Sequence, residues 1–284
     1  DFIDNGSLDY EYAIGTGSSS SNSGDNYSLS FDGEDFDGND DYVDIGNTQE
    51  VNSSFSVGGW VLNNGSDYST IISKRFYDGA GYYGWHLSYE NDGSMGLFLQ
   101  ENTSDALNRV TTDQIYNEFF HIVAVFDAGN SISIYINGEI VNTVSTNLTS
   151  FSNDNAPILI SSLQDPGSWV WDGLIDELFI YNSALNGSEV GILYSSGVII
   201  SGSLAPEPIA YWNFNSGSGD ILYDQSGNEN HGTINGATWS ADLPEILVSA
   251  TNDNILSWTS NSRNTEVTSS GLTLEEGTTY LTSV

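Results

Sequence analysis

Residues 224–232, Asp224-Gln225-Ser226-Gly227-Asn228-Glu229-Asn230-His231-Gly232, alternate oxygen-bearing side chains with glycines. A hard cation needs that composition when backbone carbonyls share its coordination shell. Calcium is the natural guest, and a turn closed by its own hydrogen bonds is the alternative. Asp224, Asn228 and Asn230 are the candidate ligands. Their spacing is not that of an EF-hand loop. A second acidic run, Asp32, Glu34, Asp35, Asp37, Asp40 and Asp41, sets six carboxylates within ten residues. Left unneutralised they repel one another. Either a cation bridges them, with Asp32 and Asp41 as ligands at its two ends, or the run is an exposed turn screened by salt.

A different chemistry is offered by RFYDGAGYYGW (75–85), where Arg75, Tyr77, Tyr82 and Tyr83 flank a glycine-bearing loop. A sugar stacks its apolar face on a ring while its hydroxyls seek polar partners, so this loop is the candidate ligand site, with Trp169 of DPGSWVWDG near a similar rim. Trp60, Trp85, Trp171 and Trp212 fall on strand-like runs and are expected in the core. Catalytic patterns are missing from the sequence. His86, His121 and His231 are far apart and lack paired metal-ligand spacing, and no Gly-x-Ser-x-Gly nucleophile turn stands before a helix.

The elements that must position these residues read as strands. FSVGGWVL (55–62), YGWHLSY (83–89), MGLFLQ (95–100), FFHIVAVFD (119–127) and SISIYING (131–138) are rich in β-branched and aromatic residues. NNGSD, ENDGS, DAGN and NGE stand between them and close hairpins. An antiparallel all-β sandwich is expected. One short helical turn is expected at Glu189–Tyr194, opened by Asn186 or Ser188. Residues 15–27 and 197–208 have the Gly, Ser and Pro content of connectors.

Composition narrows the function classes. The 16 Tyr, 12 Phe and 7 Trp argue against disorder. Four Lys and Arg stand against 39 Asp and Glu, for a formal net charge of -35, which makes nucleic acid and anionic membranes poor partners. Salt or bound calcium would relieve the self-repulsion, and the alternative is that the acidity simply keeps a secreted protein soluble in a salty medium. Without cysteine there is neither a disulfide framework nor a thiolate site, so the chain is expected to be a bacterial secreted or cell-surface product. No apolar run reaches the roughly 18 residues of a membrane span, and any signal or anchor is expected outside this sequence.

SLSFDGEDFDGNDDYVDIG (28–46), FSVGGWV, FFHIVAVFDAGNSISIYINGEIV (119–141) and WDGLIDELFIYNSALNGSEVGILY (171–194) together resemble the laminin-G-like, concanavalin-A-like jelly roll. In that family a stretch like YWNFNSGSGDILYDQSGNENHGTINGATW normally opens the domain; here it stands at 211–239, after the body, as a circular permutation would place it. The resemblance also implies a calcium site shared between the 224–232 loop and Asp176. Glucanases of the related fold need a Glu-x-Asp-x-x-Glu strand; the nearest string, Glu90-Asn91-Asp92-Gly93-Ser94-Met95, lacks the last acid, and an enzyme is not expected. DNGSLDYEYAIGTG (4–17) and residues 254–284 resemble pieces of one fibronectin-type-III-like domain. The expected organisation is therefore a host piece (1–17), a linker (18–27), the jelly roll (28–244) and a second host piece (245–284). Two functions follow: an extracellular calcium-dependent module that binds a glycan or cell-surface ligand, or a filament or stalk subunit assembled by strand pairing between copies.

Overall fold

The computed structural model describes residues 27–33, 41–48, 51–101, 108–112, 118–152, 156–164, 168–197 and 207–244, with the backbone of 257–261 and 264–268. Its strands, numbered along the chain, form two antiparallel sheets. The first runs β10 (Glu139–Ser145), β9 (Ser131–Ile136), β8 (Phe120–Asp127), β3 (Phe55–Asn63), β12 (Asp172–Tyr181), β1 (Ser28–Asp32) and β16 (Thr238–Ser240), with β13 (Ala210–Trp212) also paired to β12. The second runs β14 (Ile221–Leu222), β15 (Gly232–Asn235), β2 (Tyr42–Gly46), β11 (Ile158–Ile160), β4 (Ser69–Tyr77), β5 (Tyr82–Tyr89), β6 (Met95–Gln100) and β7 (Asn108–Thr111).

Alternation of side chains along each strand decides what lies between the sheets. On β8, Phe120, Ile122, Ala124 and Phe126 enter the core while Val123 and Val125 point the other way. Trp85 and Leu87 of β5 and Leu97 and Leu99 of β6 meet them from the second sheet, and Trp85 packs on Phe55 with ring centroids 5.1 Å apart. Trp85, Trp171 and Trp212 are fully buried as expected; Trp60 is buried too, but on the far face of the first sheet. Asn137 and Gly138 turn β9 into β10 with φ of 50° and 80°, the backbone a two-residue hairpin demands. Lys74, facing inward on β4, gives its ammonium to Asn47 Oδ1, the Thr48 carbonyl and the Ala156 carbonyl at 3.0, 3.1 and 2.8 Å.

The stretch 210–240 is built into both sheets. β16 pairs with β1, β15 with β2, and β13 lies end to end with β1 along β12. Helix α1 (Gly187–Ser196) is longer than the turn expected from sequence. Asn186 and Glu189 form a reciprocal capping box, and Gly197, at φ 74°, closes the other end onto the carbonyls of Leu193 and Tyr194. Burial of Val190 and Leu193 against the outer face of the first sheet supplies what so short a helix lacks by itself. β17 (Ser257–Asn261) and β18 (Asn264–Thr268) pair with each other as a hairpin. The other residues of the two segments expected to form a fibronectin-like host, and the open edge expected there, lie outside the described residues.

Candidate functional site

On β4 and β5 the outward positions are Ser73, Arg75 and Tyr77 and, opposite them, His86, Gly84 and Tyr82. Two of these rings are exposed, Tyr77 at 53% and Tyr82 at 37%, with centroids 4.8 Å apart. The Arg75 guanidinium lies 3.9 Å from the Tyr82 ring centroid. Its Nε donates to Gln100 Oε1 at 2.7 Å and its Nη1 to Gln164 Oε1 at 2.8 Å. Two amide carbonyls and a ring thus orient the guanidinium without neutralising it. Partial burial lowers the guanidinium from its ordinary value, and Tyr82 opposes that shift.

Beside Arg75 the face is aromatic. His86 stacks on Phe98 at 4.7 Å with the rings 8° from parallel, and Trp169 meets the His86 ring edge-on at 6.4 Å while stacking on Tyr68 at 4.8 Å. His86 also bonds through Nδ1 to Ser88 Oγ at 2.7 Å. Burial holds its imidazole well below the usual histidine range, with the Arg75 charge adding to the effect. Trp169 has φ 55°, a left-handed backbone that a large side chain adopts only under constraint. Its carbonyl accepts the Thr70 N–H at 2.7 Å, which anchors the loop against β4. At Gly84, φ is +103° and an added Cβ would lie 2.0 Å from the Lys74 carbonyl, so only glycine lets β4 and β5 close here.

Four of the five residues expected at a ligand site, Arg75, Tyr77, Tyr82 and Trp169, come to this face. Tyr83 does not. Successive strand residues point to opposite faces, so Tyr83 turns inward from Tyr82, stacks on Phe76 at 5.2 Å and lies beside Asp78. Gln100, Gln164 and His86, not among the expected residues, also come to this face. Gln100 shares the outward parity of Phe98 on β6 and was legible from alternation; Gln164 lies in a loop with no period to reveal it.

The residues expected to hold calcium do not form a cage. The Asp224 carboxylate accepts five hydrogen bonds: Tyr211 N–H and Ser226 N–H on Oδ1, and Ser226 Oγ–H, Asn230 N–H and Asn230 Nδ2–H on Oδ2, between 2.8 and 3.1 Å. Asn228 and Asn230 both turn their amide N–H groups to the Ile209 carbonyl, at 3.0 and 2.9 Å. These hydrogen bonds are those of a turn closed on itself. Asp176 accepts the Glu177 N–H at 2.8 Å instead of joining Asp224. In the second acidic run Asp41 Oδ2 accepts the Asp32 N–H at 3.0 Å, and Asp32 pairs in register with Asp172. Glu34, Asp35, Asp37 and Asp40 lie outside the described residues. Among the described residues no three Asp, Glu or His side chains gather as a metal site.

Asp176 belongs to a different feature, a buried carboxyl pair. β12 carries one extra residue against β3 between Asp176 and Phe179, and Glu177 in this bulge has φ 51°. Glu177 accepts a short hydrogen bond from the Tyr211 hydroxyl. Asp176 is 1% exposed and Glu177 4%. Burial raises both carboxyls well above their ordinary range, and for Glu177 the Asp176 charge adds to the rise.

A laminin G family model, described as the concanavalin A-like lectin/glucanases superfamily, matches residues 37–191, more than half of the 284. No curated protein matches. Among solved structures the chain is similar to a candidate carbohydrate-binding protein from Bacteroides ovatus ATCC 8483, with a TM-score of 0.57 and 18% identity over 78% of this chain; it spans 61% of that protein's length. It is also similar to the heptameric SAP-like pentraxin of Limulus polyphemus, at 15% identity and TM-score 0.46 over 62% of this chain and 84% of that one. A third is the Ruminococcus gnavus IT-sialidase CBM40 bound to alpha2,3 sialyllactose, at 14% identity and TM-score 0.44 over 51% and 84%. The family match, with an antiparallel two-sheet sandwich to go with it, establishes that the chain belongs to the concanavalin A-like lectin/glucanases superfamily.

Proposed function

We propose that this jelly roll is a non-catalytic carbohydrate-binding module of an extracellular bacterial protein, and that its platform is the outer face of the second sheet around Arg75, Tyr77 and Tyr82. The carrying observation is the pairing of two exposed tyrosine rings with a guanidinium oriented by Gln100 and Gln164. Rings supply the apolar surface on which a sugar stacks, and oriented donors supply partners for its oxygens. Membership in a lectin-containing superfamily and the fold shared with the Bacteroides protein support the same reading. Among the described residues the carboxyl pair Asp176–Glu177 is buried in the first sheet, away from this face.

The test is binding to an immobilised glycan array by the purified chain and by a Tyr77→Ala/Tyr82→Ala double variant. Losing both rings removes the apolar surface of the platform, so the double variant is expected to bind at least about tenfold more weakly. Its unfolding midpoint should stay near that of the parent, because both rings are exposed. Undiminished binding by the double variant would place the ligand elsewhere on the molecule.

A further inference from the structure

Arg75 is an unusual cation in this chain. Three other Lys and Arg residues accompany it, against 39 acids. Lys74 is buried in the core, and Arg109, outward on β7 and opposite Phe98, has the carboxylates of Glu90 and Asp92 within electrostatic reach. Arg263 lies outside the described residues. In so acidic a molecule a guanidinium would ordinarily collect a carboxylate. Yet among the described residues no Asp or Glu pairs with Arg75, and both of its side-chain acceptors are neutral glutamine carbonyls.

The fork is only part used. Nε and one hydrogen of Nη1 are committed to Gln100 and Gln164, and among the described residues no acceptor lies on Nη2. A partly buried cation without a counter-charge is costly, and an oxyanion delivered by a ligand removes that cost while accepting charge-assisted hydrogen bonds in a fixed direction. A neutral hydroxyl accepts such a bond but leaves the charge uncompensated. The exposed Tyr77 ring stands within one residue pair of this position, so a sugar ring can stack while its acidic substituent turns to Arg75.

From this we infer that the platform selects an acidic glycan, one whose sugar carries a carboxylate or sulfate that docks on the free edge of Arg75. The inference rests on the reading of this face as a glycan platform. The formal charge of -35 repels a polyanion at long range, so the fitting ligand is a largely neutral chain with an isolated acidic residue rather than a densely charged polymer.

An array of matched pairs tests it, each neutral oligosaccharide printed beside its uronic-acid, sialylated and sulfated counterparts, at physiological salt. The parent chain is expected to bind acidic members at least tenfold more tightly than their neutral partners, and the carboxylated and sulfated arms identify which oxyanion is preferred. Arg75→Gln should collapse the acidic-over-neutral ratio to about one, and Arg75→Lys, which keeps the charge but loses the fork, should retain only part of it. Thermal unfolding of both variants checks that they are folded, and the lysine variant keeps the ratio readable should the glutamine variant fail. Equal or tighter binding of the neutral members overturns the inference and leaves the platform reading standing. Binding of neither class overturns both.

Discussion

The outer faces of the two sheets have the same strand geometry and opposite fates. On the first sheet the outward residues of β8 and β12 are Val123, Val125, Phe179 and Tyr181, an apolar layer that cannot stay in water. Helix α1 covers it with Val190 and Leu193, and Tyr194 lies against Trp60 at 5.7 Å and His121 at 6.1 Å. On the second sheet the outward residues at the Arg75 end are Arg75, Tyr77, Tyr82 and Gln100, polar or amphipathic, and among the described residues no helix lies over them, while His86 and Phe98 beside them are buried near Trp169. A sheet face buries itself when its residues demand cover; the face left open has the residues that a ligand can use.

The comparison is broken most severely by removing the cover. Leu193→Ala should lower stability by about 2–4 kcal/mol in denaturant unfolding, the ordinary cost of a cavity at a buried leucine. Tyr82→Ala on the open face should stay within about 0.5 kcal/mol of the parent. A comparable loss at both sites would mean that the second face is also covered in solution.

Acid sharpens the contrast next. Burial pushes His121, beneath the helix, down to about 3. A histidine lowered on folding stays neutral in the native state but takes up a proton on unfolding, so stability is lost as pH falls below the unfolded value near 6.5. The loss reaches roughly 2 kcal/mol at pH 5. His121→Phe should remove that increment in unfolding measured at pH 7 and pH 5. An unchanged pH dependence would show that the imidazole reaches water.

The carboxyl pair under the same sheet has the opposite sign. With its native pKa raised above the unfolded value, Glu177 favours folding in its protonated form, so stability is lost as pH rises from the ordinary carboxylate range through the raised value. Glu177→Gln keeps an acceptor for the Tyr211 hydroxyl and drops the charge. We expect it to gain about 1–2 kcal/mol at pH 8, with the gain gone by pH 4. A loss at pH 8 would mean that the ionised pair is itself stabilising.

The smallest effect concerns the loop at Asp224. Because its carboxylate is already saturated by five protein donors, millimolar calcium should move the thermal midpoint by no more than about one degree relative to chelator at equal ionic strength. A calcium-specific rise of several degrees would show that the native chain binds the cation and that the hydrogen bonds at Asp224 do not exclude it.

Much of the fold was legible because strands and turns are local. Asn137-Gly138 announces its hairpin, and alternation along FFHIVAVFD separates core from surface without reference to any other segment. The same alternation, applied strictly, would have put Gln100 rather than Tyr83 on the face of Arg75. The loop at 224–232 was harder. Its oxygens and glycines suit a cation or a self-bonded turn equally, and its hydrogen bonds need the N–H of Tyr211 and the carbonyl of Ile209 brought beside it from another segment.

The sequence alone determined the all-β class, the aromatic core, the strong acidity and the presence of an Arg and Tyr cluster on one hairpin, since each depends on residue type and near neighbours. Only the tertiary structure decided which sheet face the helix covers, that Gln164 reaches Arg75 across 89 residues of chain, and that Trp169 is held in its left-handed backbone above His86. The physical reason is that charge compensation and cover are properties of space. A guanidinium is neutralised, or left for a ligand, by whatever the packing of distant loops brings within about 3 Å of it.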